Sequence, residues 1–423
     1  MRRILVLASI VASLGAADAR PVDAFAAVDD VGGWGPGHVA HDDLMSVAVA
    51  DHVGGRALRF DLDGRALLWL GTPPADVRWG GAPDDPEQHW RYEDAGGFRC
   101  WPAPQSAWKR GDDPMASWPP PPRLDHGVNV CRPLGDALLC EGPVEDSARW
   151  RCTGLRFAHV YTRHVGTTRM TVATTMTNTA AHAQRWAIWD ATAVAVAATA
   201  AADRRPCVLW PMRRGQDSRF VGGAMRQAGQ PSVAEDPARG VLRMRTDHPG
   251  KVGGDPDRGW LLLHDPVDGV AYIKRFAHDA LAWSTMRYPE GGCTVAVCAD
   301  PRGFVELEVM SPEVDLAPGG STTMAVTWSA CRVDGEPCDV GEHGVTVRPL
   351  SARREAGRLR IAGSFGVEQR GVARIRVGDG PAVAEIAATP LAPLVIDLDL
   401  ADAPGDAVTL DFCGGCLAGA RID

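Results

Sequence analysis

Residues 304–310 read Phe304-Val305-Glu306-Leu307-Glu308-Val309-Met310, and this heptad decides the fold class. Apolar side chains recur at every second position, the period of a strand with one buried face and not that of a helix. Val305, Leu307 and Val309 form the apolar face, which leaves Glu306 and Glu308 together on the other, roughly 7 Å apart at two residues' rise. Two such carboxylates repel if both are buried and ionised, so a position in a cleft would raise at least one pKa toward general acid or base use. A solvated strand face accounts for the same pattern.

Neighbouring segments carry the same period. In residues 169–177, Met170, Val172 and Met176 oppose Arg169, Thr171, Thr175 and Thr177, and Asn178-Thr179 begins a turn. In residues 185–194 one face carries Trp186, Ile188, Asp190, Thr192 and Val194. Asp190 there reads as a strand-end cap, a satisfied core carboxylate or a ligand contact. Residues 260–264 and 270–276 form a hairpin around Asp265-Pro266-Val267-Asp268-Gly269, a strong turn sequence. Its second strand puts Tyr272, Lys274 and Phe276 on one face, with Lys274 either a ligand-facing cation or a solubility device on an edge strand. Gly and Pro make up 79 of the 423 residues, scattered every several positions. Short Val-, Thr- and Leu-rich segments between such breakers describe an all-β protein.

Residues 96–122, GGFRCWPAPQSAWKRGDDPMASWPPPP, hold three Trp and seven Pro. Proline fixes φ and removes donors, so the stretch reads as a long structured loop. Indole faces beside amide, guanidinium and carboxylate groups suit a sugar ring, whose C–H face stacks while its hydroxyls take directed hydrogen bonds. A loop pinned to the body by its own Trp side chains is the plainer alternative.

Arg2 and Arg3, an apolar run and Ala17-Asp18-Ala19 make residues 1–19 a secretory signal, so the protein is expected outside the cytoplasm, periplasmic or extracellular. Without them 42 basic face 52 acidic residues, a net charge of −10 that disfavours nucleic acid as a partner. Residues 187–202 are Ala-rich but interrupted by Asp190, so no membrane insertion is expected. Eleven cysteines in an exported chain suggest disulfides, and Cys131/Cys140, Cys293/Cys298, Cys331/Cys338 and Cys413/Cys416 fit local clips. None sits with His at zinc-finger spacing, so no metal is expected, and no cofactor either. The length favours a large domain, residues 20–343, followed by a small Trp-free β-sandwich, residues 344–423, with short strands near 359–362, 373–377, 394–398 and 408–412.

In order, these segments resemble the galactose mutarotase-like supersandwich proteins, and more closely their DUF4380 branch. The resemblance rests on Gly96-Gly97-Phe98-Arg99-Cys100-Trp101-Pro102-Ala103-Pro104-Gln105, Trp118-Pro119-Pro120-Pro121, Trp186-Ala187-Ile188-Trp189-Asp190, Ile273-Lys274-Arg275-Phe276 and Val305 to Pro312, covering about residues 40–330. It implies a large antiparallel super-β-sandwich holding a sugar on the concave face of one sheet. In aldose epimerases of that family a late-strand Glu takes the anomeric proton while a His protonates the ring oxygen. Glu308, with Glu306 as alternative, stands on the strand resembling the one that carries the base. The His expected after the Asn-Thr turn is missing, Trp189-Asp190-Ala191-Thr192 standing there instead. A neutral Asp190 would supply the acid, and otherwise the acid role is empty; Asp125-His126-Gly127 resembles the family's other His-Gly motif, although His126 reads first as a surface histidine. Arg99, Trp101, Gln105, Trp186, Thr192, Lys274 and Arg275 are the residues placed to contact substrate.

Three functions follow as expectations. An exported carbohydrate-binding protein ranks first, holding a sugar or uronate in the cleft. A carbohydrate-active enzyme, epimerase-like or a lyase or hydrolase relative, would use Glu308 as base. An envelope scaffold protein would use neither. The sequence leaves the oligomeric state open.

Overall fold

The computed structural model describes residues 24–73, 94–109, 118–196, 204–212, 233–278, 285–289 and 291–423. The expected signal, residues 1–19, lies outside them. The described chain is almost wholly antiparallel β, broken by the five-residue helix Pro122–His126 and the 3-10 turn Gln105–Ala107. No helix among the described residues is long and apolar enough to cross a membrane.

The largest sheet has ten strands, in spatial order Val233–Asp236, Val241–Arg245, Cys207–Pro211, Trp260–Asp265, Val270–Phe276, Ser321–Arg332, Arg169–Asn178, Leu155–His164, Ala137–Glu141 and Val130–Leu134. A six-stranded sheet packs against it. Its order is Gly250–Gly254, Val295–Asp300, Phe304–Met310, Gln184–Ala195 and Val314–Leu316, with Phe98–Ala103 added along Gln184–Ala195. A five-stranded meander over residues 26–66 covers more of the same inner face, where Phe60 meets Tyr272 and Trp328 edge-on at 5.8 and 6.0 Å. One continuous core results. Val305, Leu307 and Val309 are all in it, as their alternation predicts, each side chain stabilising by roughly 1.5–3 kcal/mol on burial.

Residues 96–122 are not one long loop. Phe98–Ala103 is a strand despite Pro102, because it pairs with Gln184–Ala195 alone among the described strands, and an edge tolerates a residue without an N–H. Residues 110–117 of that stretch lie outside the described ones.

After the ten-stranded sheet, the chain from Asp339 onward makes two four-stranded sheets around a core that includes Leu359, Ile361, Phe365, Ile375, Val408 and Leu410. Val345 and Val347 also cover the outer face of the ten-stranded sheet, against Leu209, Leu262, Ile273 and Val333. Beside them the fully buried Glu368 takes Arg169 on one carboxylate oxygen and Arg275 on the other, with Ser329 Oγ donating at 2.9 Å.

The expected disulfide clips are not formed, and all eleven cysteines are thiols. Cys131 and Cys140 oppose each other across a hairpin, and the Cys140 side chain together with burial pushes the Cys131 thiol up. Cys331 packs into the outer-face cluster, Cys298 stands in register with Glu306, and Cys416 Sγ donates to the Ala418 carbonyl at 3.3 Å. The Cys331 and Cys416 sulfurs are thus taken up by an apolar cluster and a carbonyl and not by their neighbours in sequence.

Candidate functional site

Cross-strand partners share a face of a sheet. Arg99 is in register with Ala191 and Ala191 with Glu308, Trp101 with Trp189, Cys298 with Glu306, and Lys251 with Cys298. Arg99, Trp101, Trp189, Lys251, Glu306 and Glu308 therefore occupy one face of the six-stranded sheet, the face turned away from the ten-stranded one.

Glu308 is the centre of that face. Its Oε2 accepts from Trp189 Nε1 at 2.8 Å and pairs with Lys251 Nζ at 2.8 Å, while the ammonium sits 4.2 Å from the centroid of the Trp189 ring. Its Oε1 is buried with no hydrogen-bond partner among the described residues. Burial alone would lower the Lys251 pKa, but Glu308, Cys298 and Glu306 together outweigh it and raise the pKa. Glu306 behaves differently. Burial raises its pKa, Arg99 at 3.7 Å opposes the rise, and Glu308 adds to it. Arg99 is also paired with Asp94, which takes Arg302 at 2.8 Å.

Four indoles flank this charge cluster. Ring centroids are 5.2 Å apart for Trp101 and Trp189, 5.8 Å for Trp101 and Trp108, 5.9 Å for Trp101 and Trp118, and 6.2 Å for Trp108 and Trp189. Trp101 Nε1 donates to Asp125 Oδ1 at 2.8 Å, and Trp108 Nε1 to the Pro102 carbonyl. Asp125 is in turn clamped by His126 and by Arg56 at 3.0 Å, which overcome the opposite pull of burial and keep its carboxyl well below the usual carboxylate range. Trp101, Trp108 and Trp189 are buried, whereas Trp118 is 42% exposed. The Glu306 and Lys251 side chains also reach solvent, at 15% and 13%.

The other expected site residues lie elsewhere. Asp190 and Thr192 alternate with Trp189 and so face the ten-stranded sheet, where Lys274 reaches across to ion-pair with Asp190 and to donate to the Leu307 carbonyl at 2.8 Å. Lys274 is thus neither a ligand-facing cation nor an edge device. It stands on an internal strand and is fully buried. Burial raises the Asp190 pKa and lowers that of Lys274, each opposed by the partner charge. Trp186 is buried on the same inner face, its Nε1 donating to Gln184 Oε1 at 2.9 Å. Arg275 points outward to Glu368. Gln105 opens the 3-10 turn between Trp101 and Trp108. His126 is no surface histidine, since its side chain is 9% exposed and paired with Asp125 behind Trp101.

Sequence reading missed Lys251, Asp94 and the packing role of Trp108. Lys251 had a faint signal, a lone lysine in a Gly250–Gly254 strand otherwise of glycine and valine.

Chemically, the face offers flat apolar rings, one carboxylate fixed by two donors and a second carboxyl biased toward its protonated form. A carboxylate held by an ammonium and an indole N–H is fixed in place with charge-assisted hydrogen bonds.

No family model matches the chain, and no curated protein matches it. Among solved structures it is similar to a galactose mutarotase-like protein from Clostridium acetobutylicum, over 73% of this chain and 99% of that one, at 12% identity and a TM-score of 0.46. It is similar also to a galactose mutarotase-like protein from Lactobacillus casei, over 70% and 99%, at 12% identity and 0.45. A putative aldose 1-epimerase from Escherichia coli K12 is similar over 70% and 98%, at 16% identity and 0.39.

Proposed function

We propose that the protein is an exported carbohydrate-binding member of the mutarotase-like supersandwich proteins, of the DUF4380 branch, holding a sugar or uronate against the Trp-lined face of the six-stranded sheet. The observation that carries this reading is the margin of the cluster. There an exposed Trp118 ring borders the buried indoles, while Glu306 and Lys251 bring an acid and a cation to solvent beside them. Such a margin suits a ring that stacks on one side and presents hydroxyls on the other. The buried, unpartnered Glu308 Oε1 is a further acceptor for a hydroxyl. Calorimetry against a panel of neutral sugars and uronates tests it. Trp118→Ala should weaken the best ligand by about 3- to 10-fold, the worth of one aromatic contact. No heat with any sugar at millimolar concentration overturns the proposal.

Catalysis is the second reading, favoured by two carboxyl groups on one face, Glu306 biased toward the acid and Glu308 fixed beside an ammonium. Polarimetry on aldoses decides it. Glu308→Gln should abolish mutarotation with binding retained, and equal rates in both proteins would remove this reading.

A further inference from the structure

On the far side of the ten-stranded sheet, Cys207 and His264 stand directly opposite each other on adjacent antiparallel strands, so their side chains leave the same face. Glu336, in the connection between Ser321–Arg332 and Asp339–Val340, lays its carboxylate over them, with Cys207 Sγ 3.3 Å from Glu336 Oε2. One ligand atom from each of the three lies within 4.8 Å of the other two. Cys207 and His264 are buried and Glu336 is partly exposed, which leaves an access path from solvent.

We infer that Cys207, His264 and Glu336 form a zinc site tying the connection after Ser321–Arg332 to the outer face of the ten-stranded sheet. A thiolate, an imidazole and a carboxylate together suit zinc and not calcium or magnesium, which take oxygen ligands alone. Tetrahedral bonds of about 2.0–2.3 Å put neighbouring donors about 3.5 Å apart, so the Cys207–Glu336 edge already fits and the remaining edges, none longer than 4.8 Å, need close by little more than an ångström at most. Three protein ligands leave a fourth position for water. Binding displaces the Cys207 thiol proton to solvent and forms the Zn–S bond in its place. Arg243 Nε donates to Glu336 Oε2 at 2.7 Å, and this contact would orient the carboxylate as outer-sphere donors do for metal ligands. The apolar neighbours Leu209, Val241 and Val333 keep the surroundings dry.

The test uses the full chain carrying Cys413→Ser and Cys416→Ser, which removes the two exposed thiols. After dialysis against micromolar zinc and then metal-free buffer, it should retain about one zinc per chain, and Cys207→Ser or His264→Gln should lower retention by at least about tenfold. Cobalt loading should give an intense thiolate-to-cobalt absorption that Glu336→Gln shifts or weakens. A parent that retains essentially no zinc, a Cys207→Ser protein that retains as much as the parent, or a cobalt form without the thiolate band overturns the inference. Should the Cys207 and His264 variants fail to fold, the cobalt spectra of the parent and of Glu336→Gln decide.

Discussion

Lys274 of the ten-stranded sheet ion-pairs with Asp190 of the six-stranded sheet inside the core, and neither side chain is more than 1% exposed. Removing one partner strands a buried charge, whereas replacing both with apolar groups need not destabilise. Lys274→Met should therefore cost about 3–5 kcal/mol, and Lys274→Met with Asp190→Leu should recover most of the loss. Urea unfolding at neutral pH measures both; a Lys274→Met cost near zero would contradict the account.

Gly97 has φ +62°, and a Cβ there would run into the Ala57 carbonyl oxygen. Gly97→Ala is expected to destabilise by at least ~2 kcal/mol, from the left-handed backbone and the clash together. Because Gly97 immediately precedes the strand that carries Arg99 and Trp101, the proposed sugar binding should weaken as well. An unchanged melting temperature would show that the local backbone yields.

Two buried groups set opposite pH trends. Burial pushes the His159 imidazole from 6.5 down to about 3 and the Glu145 carboxyl from 4.5 up to about 7. Between about 6.5 and 3 the unfolded His159 binds the extra proton, so its contribution is lost as pH falls. Between about 4.5 and 7 the folded Glu145 holds the extra proton, so its contribution is lost as pH rises. A tenfold change in a group's proton affinity on folding is worth about 1.4 kcal/mol. The two trends oppose each other between about 4.5 and 6.5, so unfolding free energies taken near pH 4, 5.5 and 7 should rise with pH relative to wild type in Glu145→Gln and fall with pH relative to wild type in His159→Asn. A variant with the wild-type profile would count against its group.

Removing residues 344–423 would uncover Leu209, Leu262, Ile273 and Val333 and take Glu368 away from Arg169 and Arg275. The expected result is a chain that melts lower and self-associates on size exclusion, although the removed segment has a core of its own. A monomeric, equally stable 20–343 fragment would show that the two parts are independent.

The strands are legible in the sequence wherever one face is apolar and the other polar. The 304–310 heptad and the 270–276 segment lie where their alternation puts them. Alternation alone does not say what covers the polar side. Lys274 therefore reads as facing ligand or solvent, when the covering layer is a second sheet bearing Asp190. Pro102 masks the Phe98–Ala103 strand because an edge position is a tertiary property. Cys207, His264 and Glu336 come from three separate segments with no motif spacing, and only strand register brings them together. Glu308 stands out because chemistry and period coincide, and Arg99 through the resemblance carried by residues 96–105. Their neighbour Lys251 does not, because its strand is too short and glycine-rich to show a face.

Ser321–Arg332 is synthesised after every other strand of the ten-stranded sheet, yet its place is between Arg169–Asn178 and Val270–Phe276. Until it inserts, each of those neighbours has a row of amides and carbonyls open to other chains. Closing a sheet through its middle with the last strand made is a slow, high-contact-order step. The fold therefore makes a late insertion into the middle of the sheet compete with edge-to-edge aggregation.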